Sequence, residues 1–109
     1  MAKYALWAVL ESKPGKEKEV EEFLRGARPL AEAEAGTVTW YAAKIGPSKY
    51  AIFDTFHAEE ARKAHLNGRI AKALFEKGKE LFTRDPEVLQ LSVLAAKGPS
   101  EAKQAGASS

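Results

Sequence analysis

The chain has 109 residues, 45% of them apolar and 29% charged, with 17 basic and 15 acidic side chains, a net charge of +2 and no cysteine. One domain accounts for that length. The missing cysteine excludes disulfides, thiolate zinc sites, iron–sulfur clusters and a thiol nucleophile.

Residues 4–11 alternate Tyr4, Leu6, Ala8 and Leu10 with Ala5, Trp7 and Val9, so both sides of this first strand are apolar. The stretch is far shorter than the roughly 18 residues that cross a bilayer. With no basic leader before it, the reading is a cytoplasmic protein that makes no use of a membrane. Pro14 and Gly15 turn the chain into a helix over residues 16–33, where Val20, Phe23, Leu24, Ala27, Leu30 and Ala31 recur at helical spacing. Pro29 predicts a kink or an early end near Arg28.

Residues 37–45, rich in β-branched and aromatic side chains, predict a second strand. A turn at Gly46, Pro47 and Ser48 leads into a third over 49–56, paired with the second as a hairpin. Residues 58–82 read as helix interrupted at Asn67 and Gly68, hence two pieces. Asp85 and Pro86 precede a fourth strand over 88–96. The domain therefore spans 1–97, and 98–109, without a large apolar residue, reads as a mobile polar tail.

The order strand, helix, strand, strand, helix, strand predicts an α+β, ferredoxin-like βαββαβ domain with an antiparallel four-stranded sheet. Helices in such a domain cover one sheet face, yet neither face reads as solvated. A second copy of the chain is the simplest cover for the other, which predicts a homodimer through the open sheet face.

Bases and acids interleave along the helices, as in Lys18 with Glu22 and Glu21 with Arg25, which reads as solvated faces. Nucleic acid is not expected as a partner, because binding it needs a one-signed stripe. RNA-recognition domains share the element order, but the third strand here has Ala51 where a stacking aromatic is needed and an acidic Asp54 that repels phosphate. No phosphate loop, GxSxG, HExxH or metal-ligand spacing occurs.

Two residues could carry chemistry. Asp54 shares a strand face with Ile52 and Phe56, and a buried carboxylate there either pairs with a cation such as Arg62, Arg69 or Lys44 or serves as a pocket group. His65 lies on the shoulder of the stripe Leu66, Ile70 and Leu74, positioned for a cleft between helix and sheet, or as a partly buried histidine bonded to a carbonyl. His57 opens the second helix, where solvent or a capping role explains it. Trp7, Trp40, Tyr41, Tyr50, Phe53, Phe56 and Phe75 are mostly core, though such a set suits a flat aromatic ligand.

Glu34-Ala35-Gly36-Thr37 before an aromatic strand, then Ile52-Phe53-Asp54-Thr55-Phe56, then Glu59-Glu60-Ala61-Arg62-Lys63-Ala64-His65-Leu66 resembles the antibiotic biosynthesis monooxygenase (ABM) domain family over residues 4–97. The resemblance implies a dimeric α/β barrel and cofactor-independent oxygenation of a quinol-like or polycyclic aromatic by O2. It implies His65 as proton acceptor or anion partner, Asp54 as orienting group and Phe56 as pocket wall, with no cofactor. Together with the aromatic set and the candidate cations above, the residues expected to hold substrate are Trp40, Phe53, Phe56, Arg62 and Arg69, and no metal is expected. The chain departs from the family's common pattern in Phe56, where tryptophan is frequent, and in Asn67-Gly68-Arg69, where Ser-Pro-His is frequent. Haem-degrading relatives carry an asparagine early in the first strand, where this chain has Lys3-Tyr4-Ala5. A non-catalytic dimeric ligand-binding protein, or an isomerase on the same scaffold with Arg62 or Arg69 as anion site, are the alternatives.

Overall fold

The computed structural model describes residues 2–97. The expected tail at 98–109 lies outside the described residues. The elements are β1 (Tyr4–Glu11), α1 (Glu17–Glu32), β2 (Thr37–Lys44), β3 (Lys49–Phe56), α2 (Glu59–Leu66), α3 (Arg69–Leu81) and β4 (Glu87–Ser92). Strand order is β2-β3-β1-β4, and every neighbouring pair is antiparallel. This is the ferredoxin-like α+β arrangement, with the second helical segment split at Asn67 and Gly68. No helix among the described residues is long and apolar enough to cross a membrane.

Two boundaries differ from the sequence reading by more than one residue. α1 does not end near Arg28 but runs through Pro29 to Glu32, because Ala27 and Ala31, flanking the proline, stay buried and the last turn closes with Ala33 N–H donating to the Pro29 carbonyl at 3.1 Å. β4 stops at Ser92 and does not reach 96. Ser92 lies opposite Tyr4, the first residue of β1, so the partner strand runs out, and a final bond from Val93 N–H to the Lys3 carbonyl closes the ladder.

Strand alternation gives the sheet two distinct faces. Leu6, Ala8, Leu10, Tyr50 and Ile52 turn toward the helices and meet Val20, Leu24, Leu74, Leu81 and Phe82 in the core. On the opposite face, cross-strand pairing sets Tyr41, Phe53, Trp7 and Leu89 in one row. No helix among the described residues covers this row, and Tyr41 and Leu89 are 60% and 47% exposed.

Tyr50 fastens α1 to β3. Burial, followed by the hydrogen bond its hydroxyl donates to Glu21 at 2.7 Å, pushes the phenol up to about 12. Lys44 completes this surface-edge network by bonding Glu21 at 2.9 Å.

The loop between α1 and β2 approaches α2 closely. A Cβ on Gly36 would lie 2.6 Å from the Ala61 Cβ, a short, rigid neighbour that cannot swing aside. Gly36→Ala is expected to push α2 off the sheet edge at a cost of about 1–3 kcal/mol. Thermal unfolding checks this, with a melting temperature roughly 5–20 °C lower. An unchanged melting temperature would mean that the close approach is not maintained.

Candidate active site

β3 delivers Asp54 to the helix-covered face, where it is 1% exposed. α2 is short, and His65 is its single buried residue. The histidine Nε2 lies 2.9 Å from Asp54 Oδ2, and its Nδ1 lies 2.6 Å from Glu34 Oε1. Glu34 comes from the loop that Gly36 lets approach α2, and its Oε1 also accepts a bond from the Thr37 hydroxyl at 2.7 Å. The Phe56 ring, 5.1 Å away centre to centre, backs the imidazole.

Each ring nitrogen faces a carboxyl oxygen, so both are satisfied as donors only in the imidazolium form. Burial works against that charge, but the hydrogen bonds to Asp54 and Glu34, and the charges behind them, outweigh it and raise the His65 pKa above its ordinary 6.5. The arrangement favours the cationic form of an imidazole set between two carboxyl groups on different elements.

Asp54 Oδ2 is used by this pair, whereas Oδ1 is buried without a hydrogen-bond partner among the described residues, as is Trp40 Nε1. Asp54, His65 and Trp40 line one small cavity together with Leu6, Ala8, Ile52, Leu66, Ile70, Ala71, Leu74, Phe75 and Val88. Its volume is about 40 Å³, room for a few water molecules and far less than a polycyclic ring system needs. A wider, open groove of about 530 Å³ runs along β2 between Arg28, Glu32 and residues 37–42. Trp40 lines both spaces, but the groove contains neither Asp54 nor His65. The desolvated ionisable groups thus line the smaller cavity and not the groove.

The structure thus unites Asp54, His65 and Trp40. The remaining sequence candidates sit elsewhere. Phe53 follows Trp7 onto the opposite sheet face, since neighbours in a strand point to opposite sides. Phe56 is fully buried behind His65 and does not line the cavity. Arg62 donates to the carbonyls of Ala5 and Leu91 at 3.3 and 3.1 Å and stacks over Tyr4 at 5.3 Å. Arg69 is exposed at the start of α3. The cation facing Asp54 is none of Arg62, Arg69 or Lys44 but His65. Glu34 was missed as a site residue, since nothing in local spacing links a loop glutamate to a histidine 31 positions later.

No family model matches the chain, and no curated protein matches it. Solved structures do. A protein of unknown function from Nitrosomonas europaea, NE2512, is 47% identical over 91% of this chain and 96% of its own, with a TM-score of 0.88. A Chloroflexus aurantiacus J-10-fl protein named as a candidate antibiotic biosynthesis monooxygenase is 18% identical over 89% of this chain and 98% of its own, with a TM-score of 0.69. A second protein from N. europaea with the same naming is 12% identical over 84% of this chain and 99% of its own, at a TM-score of 0.75. The fold is that of ABM-type proteins. Within that fold, the chain belongs to the same family as the NE2512 protein.

Proposed function

We propose that the protein is a cytoplasmic, cofactor-independent monooxygenase of ABM type acting on a small quinol-like molecule. The observation that carries this reading is the buried, unpartnered Asp54 Oδ1 held beside an imidazolium in an apolar cavity. Triplet oxygen reacts slowly with closed-shell organics, so the substrate must first become an electron-rich anion. That requires a proton acceptor and a group that stabilises the charge left behind.

On this reading His65 keeps the second of its two expected roles, partner of the anion, and Asp54 takes the proton in its place. Both nitrogens of His65 already face carboxyl oxygens, so neither is turned to the substrate as a proton acceptor. Asp54 Oδ1 is the free acceptor and takes the substrate hydroxyl proton. His65 holds Asp54 in place and sets a positive charge near the anion that forms. For a hydroquinone, one atom of O2 then enters the ring and the other leaves as water, with all four electrons drawn from the substrate, giving a hydroxyquinone. The cavity of about 40 Å³ takes the reacting hydroxyl, with the substrate ring at its mouth.

The uncovered row of Tyr41, Phe53, Trp7 and Leu89 supports a homodimer through that sheet face. An isomerase acting on an anionic sugar has little support, because Arg62 is engaged with backbone carbonyls and Arg69 lies outside the cavity. The reading of a non-catalytic ligand-binding protein draws on the cavity's small size.

Oxygen consumption with a panel of hydroquinones separates the two. Uptake is expected in the wild type, and Asp54→Asn, folded by circular dichroism, is expected to lose at least about 100-fold in kcat. Uptake that persists in Asp54→Asn would sink the assignment of the base, and no uptake with any quinol would favour the binding protein.

A further inference from the structure

Two polar atoms remain unexplained by packing and by the ion pairs: Trp40 Nε1 and Asp54 Oδ1, both buried and without partners. Buried polar atoms are almost always satisfied, so a leftover donor and a leftover acceptor in one place invite an explanation. Trp40 and Asp54 are direct cross-strand partners on β2 and β3. They share the helix-covered face and line the same cavity. Their Cβ atoms are therefore about 5 Å apart, yet the indole N–H and the carboxyl oxygen do not bond each other.

The indole nitrogen can only donate, and a carboxylate oxygen can only accept. One hydroxyl group satisfies both, giving its proton to Asp54 Oδ1 and receiving the Trp40 N–H on its oxygen. We infer that the cavity recognises a single hydroxyl of a neutral ligand, gripped between Trp40 Nε1 and Asp54 Oδ1, with Trp40 as a specificity-determining residue. This rests on the reading of the cavity as the ligand site, though not on oxygen turnover.

The surroundings sharpen the ligand class. Leu6, Ala8, Ile52, Ile70, Leu74 and Val88 offer an apolar wall and no further polar contact. The His65 imidazole is already faced by two carboxyl groups, so a ligand that arrives as a carboxylate or phosphate meets an excess of negative charge, unlike an anion formed in place by giving its proton to Asp54. An ether has no proton for Asp54, and a hydrocarbon leaves both atoms unpaired. The space of about 40 Å³ takes the hydroxyl end. The body of the ligand rests at the mouth, marked by Phe75, a lining residue that is 43% exposed.

The test is a titration of the full-length protein with phenol, anisole and toluene, which share a ring and differ in the polar group. It is followed by the indole N–H signals of the two tryptophans. Absence of one signal in Trp40→Phe assigns it. Phenol is expected to bind at least about tenfold more tightly than anisole or toluene and to move the Trp40 signal downfield. Trp40→Phe should narrow that preference severalfold. Equal binding of toluene, phenol binding that leaves the Trp40 signal in place, or no phenol binding at all would overturn the inference. Selective phenol binding without oxygen uptake from any quinol keeps this clamp and removes the oxygenase. Uptake with indiscriminate binding does the reverse.

Discussion

His65→Ala is expected to destabilise the fold by about 3–5 kcal/mol at pH 6.5, the range seen when one partner of a buried ion pair is removed. The imidazole is 7% exposed and touches carboxyl groups from two elements, Glu34 before β2 and Asp54 on β3. Without it, both carboxyl groups face an emptied space with no cation between them. The pH dependence has a definite sign. The folded-state pKa of His65 is raised above 6.5, against the pull of burial, by its bonds to Asp54 and Glu34. Its contribution to stability is therefore fully present below pH 6.5 and declines as pH rises through the raised folded-state value. Urea denaturation of wild type and variant across that window is expected to show a gap that narrows as pH increases. A gap that is constant or widens would mean that His65 is neutral in the folded protein.

The second large effect concerns assembly. Phe53→Asp is expected to convert the proposed dimer to protomers at micromolar concentration. Phe53 sits between Trp7 and Tyr41 in the uncovered row, with its ring centre 6.5 Å from that of Trp7. In the separated protomer a carboxylate there meets water, so the fold should persist. In a sheet-to-sheet dimer it would be buried twice, once per copy, without a cation opposite. Removing a central aromatic anchor typically costs about 2 kcal/mol or more per site, which weakens association at least about 30-fold. Sedimentation measures the mass directly. A wild type that already sediments at the protomer mass would remove the dimer reading, and a Phe53→Asp variant that stays dimeric would move the interface elsewhere.

Much of the fold was legible because alternation and helical spacing are local signals. β1 and β3 matched their sequence bounds, and Asn67-Gly68 split the second helical segment as its composition implied. Pro29 misled because the apolar stripe on either side of it stays buried, and tertiary packing outweighs one missing backbone bond. The end of β4 depended on where its partner β1 begins, a fact of register that no stretch of β4 contains. The site was half readable. Asp54 stood out as an acid on an apolar strand face and His65 as a polar residue beside an apolar stripe, but that they face each other is a tertiary fact. Phe53 was a candidate only as one of a set of aromatics suited to a flat ligand, and strand parity with Asp54 argued against it.

That parity has a wider consequence. Phe53 and Asp54 are consecutive, yet one belongs to the bare face and the other to the buried site. β3 thus works like a text with a reading frame of two. Deleting or inserting a single residue in the turn at 46–48 without compensation would shift every later position of β3 by one. The carboxyl group would then emerge in the aromatic row and the phenyl ring would be driven into the small cavity. Surface and interior would fail together, so the hairpin turn is under a constraint that its own exposed residues do not reveal.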